Sequence, residues 1–144
     1  TTGQNDLAEM IAPAPDLLMV GHTHYPLTRR HGDTLVINAG SVGFPFDGDI
    51  RPCYVQAVYQ KAAWKAEFIR LSYDHQAVLE DFYTSGYREN GGAMVDLILK
   101  EIELARPQLS HWNHRYLKPV LNHEIPLEEA VSQYLQNPNT DRLK

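Results

Sequence analysis

Two histidines one residue apart carry the clearest chemistry in the chain: His22 and His24, within Gly21-His22-Thr23-His24. Neutral imidazole is a good ligand for Zn²⁺, Mn²⁺ or Fe. In extended backbone, side chains two apart project to the same side, so both rings could face one pocket. Two divalent ions ~3.5–4 Å apart could each take one of these nitrogens. Gly21, with no Cβ, lets the backbone come close to such a site. An isolated H-x-H also describes two solvated histidines on a surface loop. The preceding apolar run Leu17-Leu18-Met19-Val20 sets the metal reading level with that one. It places the pair just past the end of a strand, where open α/β sheets hold their ligands.

Other reactive side chains read more plainly. Cys53 is the single cysteine, which rules out an internal disulfide and fits a reducing compartment. No basic neighbour in sequence lowers its pKa, so it is expected as a small core residue. His111 and His114, at i and i+3, flank Trp112 on an expected packing surface, with Tyr116 nearby. His31, His75 and His123 are expected in solvent, as are Glu101 and Glu103 on a solvated helix face. Arg51 is open to two readings, an anion-binding side chain or a structural partner of Asp47 or Asp49.

The elements that must position these residues follow from periodicity. Leu7, Met10 and Ile11 give a short helix over residues 5–12, stopped by Pro13 and Pro15. Residues 16–20 form a strand whose four apolar residues predict cover on both faces. Residues 25–31 and 34–38 form two more strands around a Gly32-Asp33 turn. Residues 39–52, rich in Gly, Pro and Asp, form a long loop, and such loops are more often functional than idle. Residues 53–60 and 64–71 alternate as a β-hairpin.

From Asp74 the period changes from 2 to 3.6. Helices are expected around Val78–Tyr83, around Met94–Ile102 and from Leu127 to Leu135, with Pro126 at the first turn of the last. A short helix is expected around Trp112 and Tyr116, and the tail after Pro138 is expected to fray.

The chain has 144 residues, 43% hydrophobic and 22% charged, as ordinary globular domains are. Its net charge of −5 gives no electrostatic case for specific nucleic-acid binding or an anionic membrane. No apolar stretch approaches the ~20 residues of a membrane span, and nothing at the N-terminus resembles a signal peptide. These features lead to the expectation of a cytoplasmic protein.

Gly21-His22-Thr23-His24, then Asn38-Ala39-Gly40-Ser41-Val42-Gly43, Pro45, Asp47-Gly48-Asp49, Arg51 and Tyr54, resemble the C-terminal half of calcineurin-like metallophosphoesterases. The resemblance covers roughly residues 5–75 and is nearest to the YfcE-like phosphodiesterase branch. It implies an α/β fold, the C-terminal half of a four-layer α/β/β/α sandwich. Residues 1–73 would be core and residues 74–144 a helical extension packed on the same unit.

The resemblance also implies roles. His22 would ligate the second of two divalent ions and His24 the first. Gly21, Asn38, Gly40 and Ser41 would support the histidine loop without ligating. In the full-length protein two ions (Mn, Zn, Fe or Ni) would hold a bridging hydroxide that attacks a phosphodiester or phosphomonoester directly. The substrate would be a small phosphoester or a nucleotide.

Departures from the family pattern bear on activity. Ala39 stands where a proline is common, and Phe46 where an arginine is common. The motifs D-x-H and G-N-H, which would supply a bridging carboxylate, an Asn ligand and a leaving-group His, occur nowhere in these residues. Gly32-Asp33 and Gly48-Asp49 match G-D by letter only. The chain by itself is therefore expected to bind at most one metal weakly and to be inactive. It is expected to dock on the missing N-terminal half, on the same or another polypeptide, or to self-associate through an exposed sheet. The alternative is a non-catalytic scaffold or protein-interaction module of the same fold. The retained H-x-H argues for the enzyme.

Overall fold

The computed structural model describes residues 13–137. The helix expected over residues 5–12 and the tail from Pro138 lie outside the described residues. The chain divides into two compact units, Thr1–Tyr73 and Asp74–Lys144. The result is a mixed α/β protein, strand-rich in its first unit and helical in its second.

The first unit holds strands β1 (Leu17–Val20), β2 (Pro26–His31), β3 (Thr34–Ala39), β4 (Cys53–Gln60) and β5 (Ala63–Arg70). The first three form a sheet in the order β1-β3-β2. β1 runs parallel to β3, with Leu17 opposite Leu35 and Val20 opposite Asn38. β2 runs antiparallel to β3, from Pro26 opposite Ala39 to His31 opposite Thr34. The Gly32-Asp33 turn closes that hairpin, with Gly32 at φ 58.

The most buried strand is β3, where Thr34, Leu35, Val36, Ile37 and Asn38 are all buried. This corrects the expectation for residues 16–20. β1 lies at an edge of this sheet, and Met19 and Val20 are 52% and 43% exposed. Both runs are equally apolar; β3 has a hydrogen-bonded neighbour on each side and β1 on one. Run length signals apolar character but not rank within a sheet.

β4 and β5 form a separate antiparallel ribbon, from Cys53 opposite Arg70 to Gln60 opposite Ala63. Its two-residue turn places Lys61 and Ala62 at φ 50 and 58, the double positive φ of a type I′ turn. Cys53, 2% exposed, donates its N–H to Ser41 O at 2.9 Å, which ties the ribbon to the loop after β3. Burial pushes the Cys53 thiol pKa up, as expected of an inert core residue.

The second unit holds α1 (His75–Thr84), α2 (Tyr87–Gly91), α3 (Met94–Leu104), α4 (Leu109–Leu121) and α5 (Leu127–Gln136). Asp74 caps α1 by accepting from Ala77 N–H at 3.0 Å. Pro126 caps α5 in extended conformation. The core gathers Leu97, Trp112, Ala130, Val131 and Tyr134. α4 is 13 residues long, longer than the short helix expected there, and it runs through Pro119 in its last turn, which has no N–H to give the carbonyl four residues earlier.

Two expectations in this unit are corrected. Glu101 is 4% exposed, and its Oε1 accepts from Gln108 N–H at 2.7 Å and Leu109 N–H at 2.8 Å. A carboxylate from α3 thus satisfies orphan donors at the start of α4, where the helix dipole favours negative charge. His75 is part-buried and hydrogen-bonded through Nε2 to Ile102 O at 3.1 Å.

Candidate functional site

The connection from β1 to β2 passes over the C-terminal end of β3, because β1 ends opposite Asn38 and β2 begins opposite Ala39. Gly21, His22, Thr23, His24 and Tyr25 make this crossing. Their place follows from the register. A parallel neighbour and an antiparallel neighbour of one strand can be joined by five residues only across that strand's end.

The crossing is not extended. His22 and His24 both have positive φ, 73° and 61°. Thr23 N–H donates to Gly21 O at 3.0 Å, closing a γ-turn centred on His22. The extended-backbone argument for turning both rings to one side therefore does not apply. Non-glycine residues in this region cost of order 1–3 kcal/mol each and persist where surrounding contacts over-determine them.

Asn38 supplies such contacts. It is 4% exposed, and its Nδ2 donates to Gly21 O at 3.2 Å and to Thr23 Oγ1 at 2.8 Å. Its Oδ1 accepts from Gly40 N–H at 3.1 Å. One amide thus joins the histidine crossing to the loop after β3, and no side chain lacking both donor and acceptor could do so.

Gly40 itself has φ 79, and a Cβ there would meet Cys53 Cβ at 3.2 Å and Pro26 Cβ at 3.3 Å. Ser41 Oγ accepts from Phe44 N–H at 2.9 Å. Asn38, Gly40 and Ser41 thereby fix the path of the loop as far as Phe44.

His24 is half-buried and closely held. Its Nδ1 lies 2.7 Å from Phe44 O. A carbonyl oxygen only accepts, so Nδ1 carries the proton and Nε2 keeps its lone pair in the neutral ring. The ring stacks on Phe46 with centroids 4.8 Å apart and planes at 27°. Phe46 N–H also points at His24 O, 3.4 Å away. His22 is exposed.

The loop's cation, Arg51, and the neighbouring Arg70 on β5 are already engaged. Arg51 grips Asp49 with two nitrogens, Nε to Oδ1 at 3.0 Å and Nη2 to Oδ2 at 2.7 Å. Hydrogen bonds from the Arg51 side chain and backbone hold the Asp49 carboxyl well below the usual range, and Asp49 raises the Arg51 pKa in return. Asp47 pairs with Arg70. Arg70 Nη1 also reaches Arg51 O at 2.9 Å. Of the two readings of Arg51, its geometry is that of a structural partner to Asp49.

Sequence reasoning missed Arg70, which anchors the loop from β5, and missed the contacts of Phe44 and Phe46 with His24. The only signal for the latter was Phe-Pro-Phe within the loop. Pro45 is buried.

The donor set matches part of a divalent-metal site: two imidazoles on one short crossing, one with its tautomer set by a carbonyl. Among the described residues no group of three or more His, Cys, Asp or Glu converges to hold a metal ion. No helix among the described residues is long and apolar enough to cross a membrane.

Comparison with known proteins bears on the same segment. Residues 2–61 match the family model of the calcineurin-like phosphoesterase superfamily domain. Among solved structures, the chain is similar to a metallophosphoesterase from Sphaerobacter thermophilus. Identity is 23% and the TM-score 0.52, over 73% of this chain and 49% of that one. It is also similar to the hypothetical protein PH1004 from Pyrococcus horikoshii OT3. There identity is 18% and the TM-score 0.51, over 74% of this chain and 38% of that one. The matched region spans about half or less of the length of these structures. A search of curated proteins found no match.

Proposed function

We propose that the chain forms part of a metal-dependent phosphoester hydrolase, with His22 and His24 as metal ligands, a reading supported by the match of residues 2–61 to the calcineurin-like phosphoesterase superfamily domain. The observation that carries this reading is the state of His24. Its Nδ1–H is committed to Phe44 O, which leaves Nε2 as the lone-pair donor. Metal-bound histidines almost always show this arrangement, in which a carbonyl or carboxylate takes the second ring proton.

The position supports the same reading. The histidine crossing lies beyond the carboxyl ends of the parallel pair β1 and β3, where α/β sheets gather ligands. Two strained histidines in sequence also ask for a reason beyond folding, since glycine or asparagine would take positive φ at less cost.

The family binds divalent metals; when bound, such ions lower the pKa of a bridging water and hold phosphoryl oxygens. This chain's own residues would do the following. His24 presents a fixed nitrogen, and His22 an exposed one. Asn38 keeps the crossing in register with the loop after β3. Arg51 and Arg70, compensated by Asp49 and Asp47, hold the loop in shape and leave the charge of a phosphoester to be met by other groups. Because the described residues offer two ligands of this kind, the chain binds one ion weakly and needs further donors for turnover.

Calorimetric titration of the chain with Zn²⁺ and with Mn²⁺ tests this. One weak event is expected, lost in His24→Ala and weakened in His22→Ala. Binding unchanged in both variants would overturn the ligand assignment. Hydrolysis of a nitrophenyl phosphodiester by the 144-residue chain with Mn²⁺ would overturn its incompleteness.

A further inference from the structure

We infer that the segment Phe44-Pro45-Phe46 is a positioning clamp for His24, with the Phe46 ring as its deciding element. The inference rests on His24 serving as a ligand, but its geometric content stands apart from that reading.

Three contacts converge on one residue. Phe44 O accepts from Nδ1 at 2.7 Å and so selects the tautomer. The Phe46 ring lies against one face of the imidazole, 4.8 Å between centroids, and so blocks rotation about the ring's own bond. Phe46 N–H approaches His24 O at 3.4 Å, binding the two backbones as well.

Pro45 makes the clamp rigid. A proline disfavours helical backbone in the residue before it and locks its own φ. The Phe44 carbonyl and the Phe46 ring are thus held at a set separation around a buried pivot. Ser41 Oγ accepts from Phe44 N–H at 2.9 Å and fixes the other end. His24 needs such restraint because its own φ of 61° is a conformation the free chain would leave.

An arginine at position 46 would offer a cation to the site. The phenylalanine offers none, and what it supplies is a ring stacked on the imidazole. Residue 46 therefore acts through His24 and does not bind the anion itself.

The test uses the full chain, treated with chelator and labelled with ¹⁵N at histidine, with long-range ¹H–¹⁵N correlation at a pH where His24 is neutral. The expected spectrum shows Nδ1 of His24 in the protonated-nitrogen range and Nε2 in the lone-pair range. His22, exposed, shows averaged shifts. Phe46→Ala should move the His24 pair toward averaged values and lower Zn²⁺ affinity about tenfold, the low end of losses for such supporting partners. Phe46→Tyr should restore both.

Averaged His24 shifts in the unsubstituted chain would overturn the clamp, whatever the variants do. So would Phe46→Ala with an unchanged tautomer. A fixed tautomer that Phe46→Ala releases, in a chain that binds no Zn²⁺, would uphold the clamp and remove the ligand reading.

Discussion

Gly40→Ala should be the most damaging small substitution near the histidine crossing, and Gly32→Ala is its internal control. Both glycines have positive φ, 79° and 58°. An alanine in that region costs roughly 1–2 kcal/mol. At Gly32 nothing lies within 4 Å of the added Cβ, so that is the whole effect.

At Gly40 the Cβ would also meet Cys53 Cβ at 3.2 Å, Pro26 Cβ at 3.3 Å and Cys53 Sγ at 3.4 Å. None of these is the far end of a flexible chain. Two are β-carbons fixed by strands, so the loop itself must shift, and overpacking of this kind costs typically 1–3 kcal/mol. Summing these ranges gives about 2–5 kcal/mol at Gly40, centred near ~3.5, against about 1.5 at Gly32.

Native-state amide exchange of Val36, Ile37 and Asn38 in β3 reads both, since protection there follows the opening of this sheet. At 1.4 kcal/mol per tenfold, Gly40→Ala should reduce protection several-hundredfold and Gly32→Ala about tenfold. Adding Cys53→Ala to Gly40→Ala removes the Sγ contact but not the closer Cβ contact, so it should restore less than half. Equal losses from the two glycine substitutions would refute the packing argument.

In the helical unit, Glu101→Ala strands two N–H groups at the start of α4 and should destabilise by about 3 kcal/mol. Glu101→Gln keeps an acceptor at the same place and should cost about a third of that by urea unfolding. Asp49 has a folded pKa held below its unfolded value of about 3.9 by Arg51. Its stabilising contribution is thus complete above that value and lost as pH falls through the folded pKa. Asp49→Asn should therefore flatten the stability profile below pH ~4 and leave its slope near neutrality unchanged. Sedimentation of the chain should show concentration-dependent association. β1 has a partner on one side only among the described residues, and Met19, Val20 and Leu27 are exposed. A single monomeric species at high concentration would refute this.

Much of the local structure is legible in the residues themselves. Alternation marks Cys53–Gln60 and the strand facing it, and the 3.6 period marks the helices that begin at His75, Met94 and Leu127. Glycine, proline and aspartate mark the loop between β3 and β4. These are signals carried by neighbours in sequence, and each element's own residues suffice to generate them. The pair His22 and His24 stands out the same way, because imidazole chemistry belongs to the residue type.

What only the tertiary structure decided concerns partners distant in sequence. Leu17–Val20 and Leu35–Ile37 are equally apolar, yet one is an edge strand and the other the buried centre. Glu101 looks like one more helix-surface carboxylate until α4 is brought against it, seven and eight residues on. Arg51 and Arg70 are cations of the same kind, and only the fold gives Arg51 to Asp49 and sets Arg70 against Asp47, with a longer contact to Asp49. The backbone at His22 and His24 departs from the extended form because a five-residue crossing must pass over the end of β3. His24 gains its tautomer from a carbonyl 20 residues away. The reason is the same in each case. Rank in a sheet, hydrogen-bond partner and ring orientation are properties of a pair of segments, and a single segment carries only its half of each.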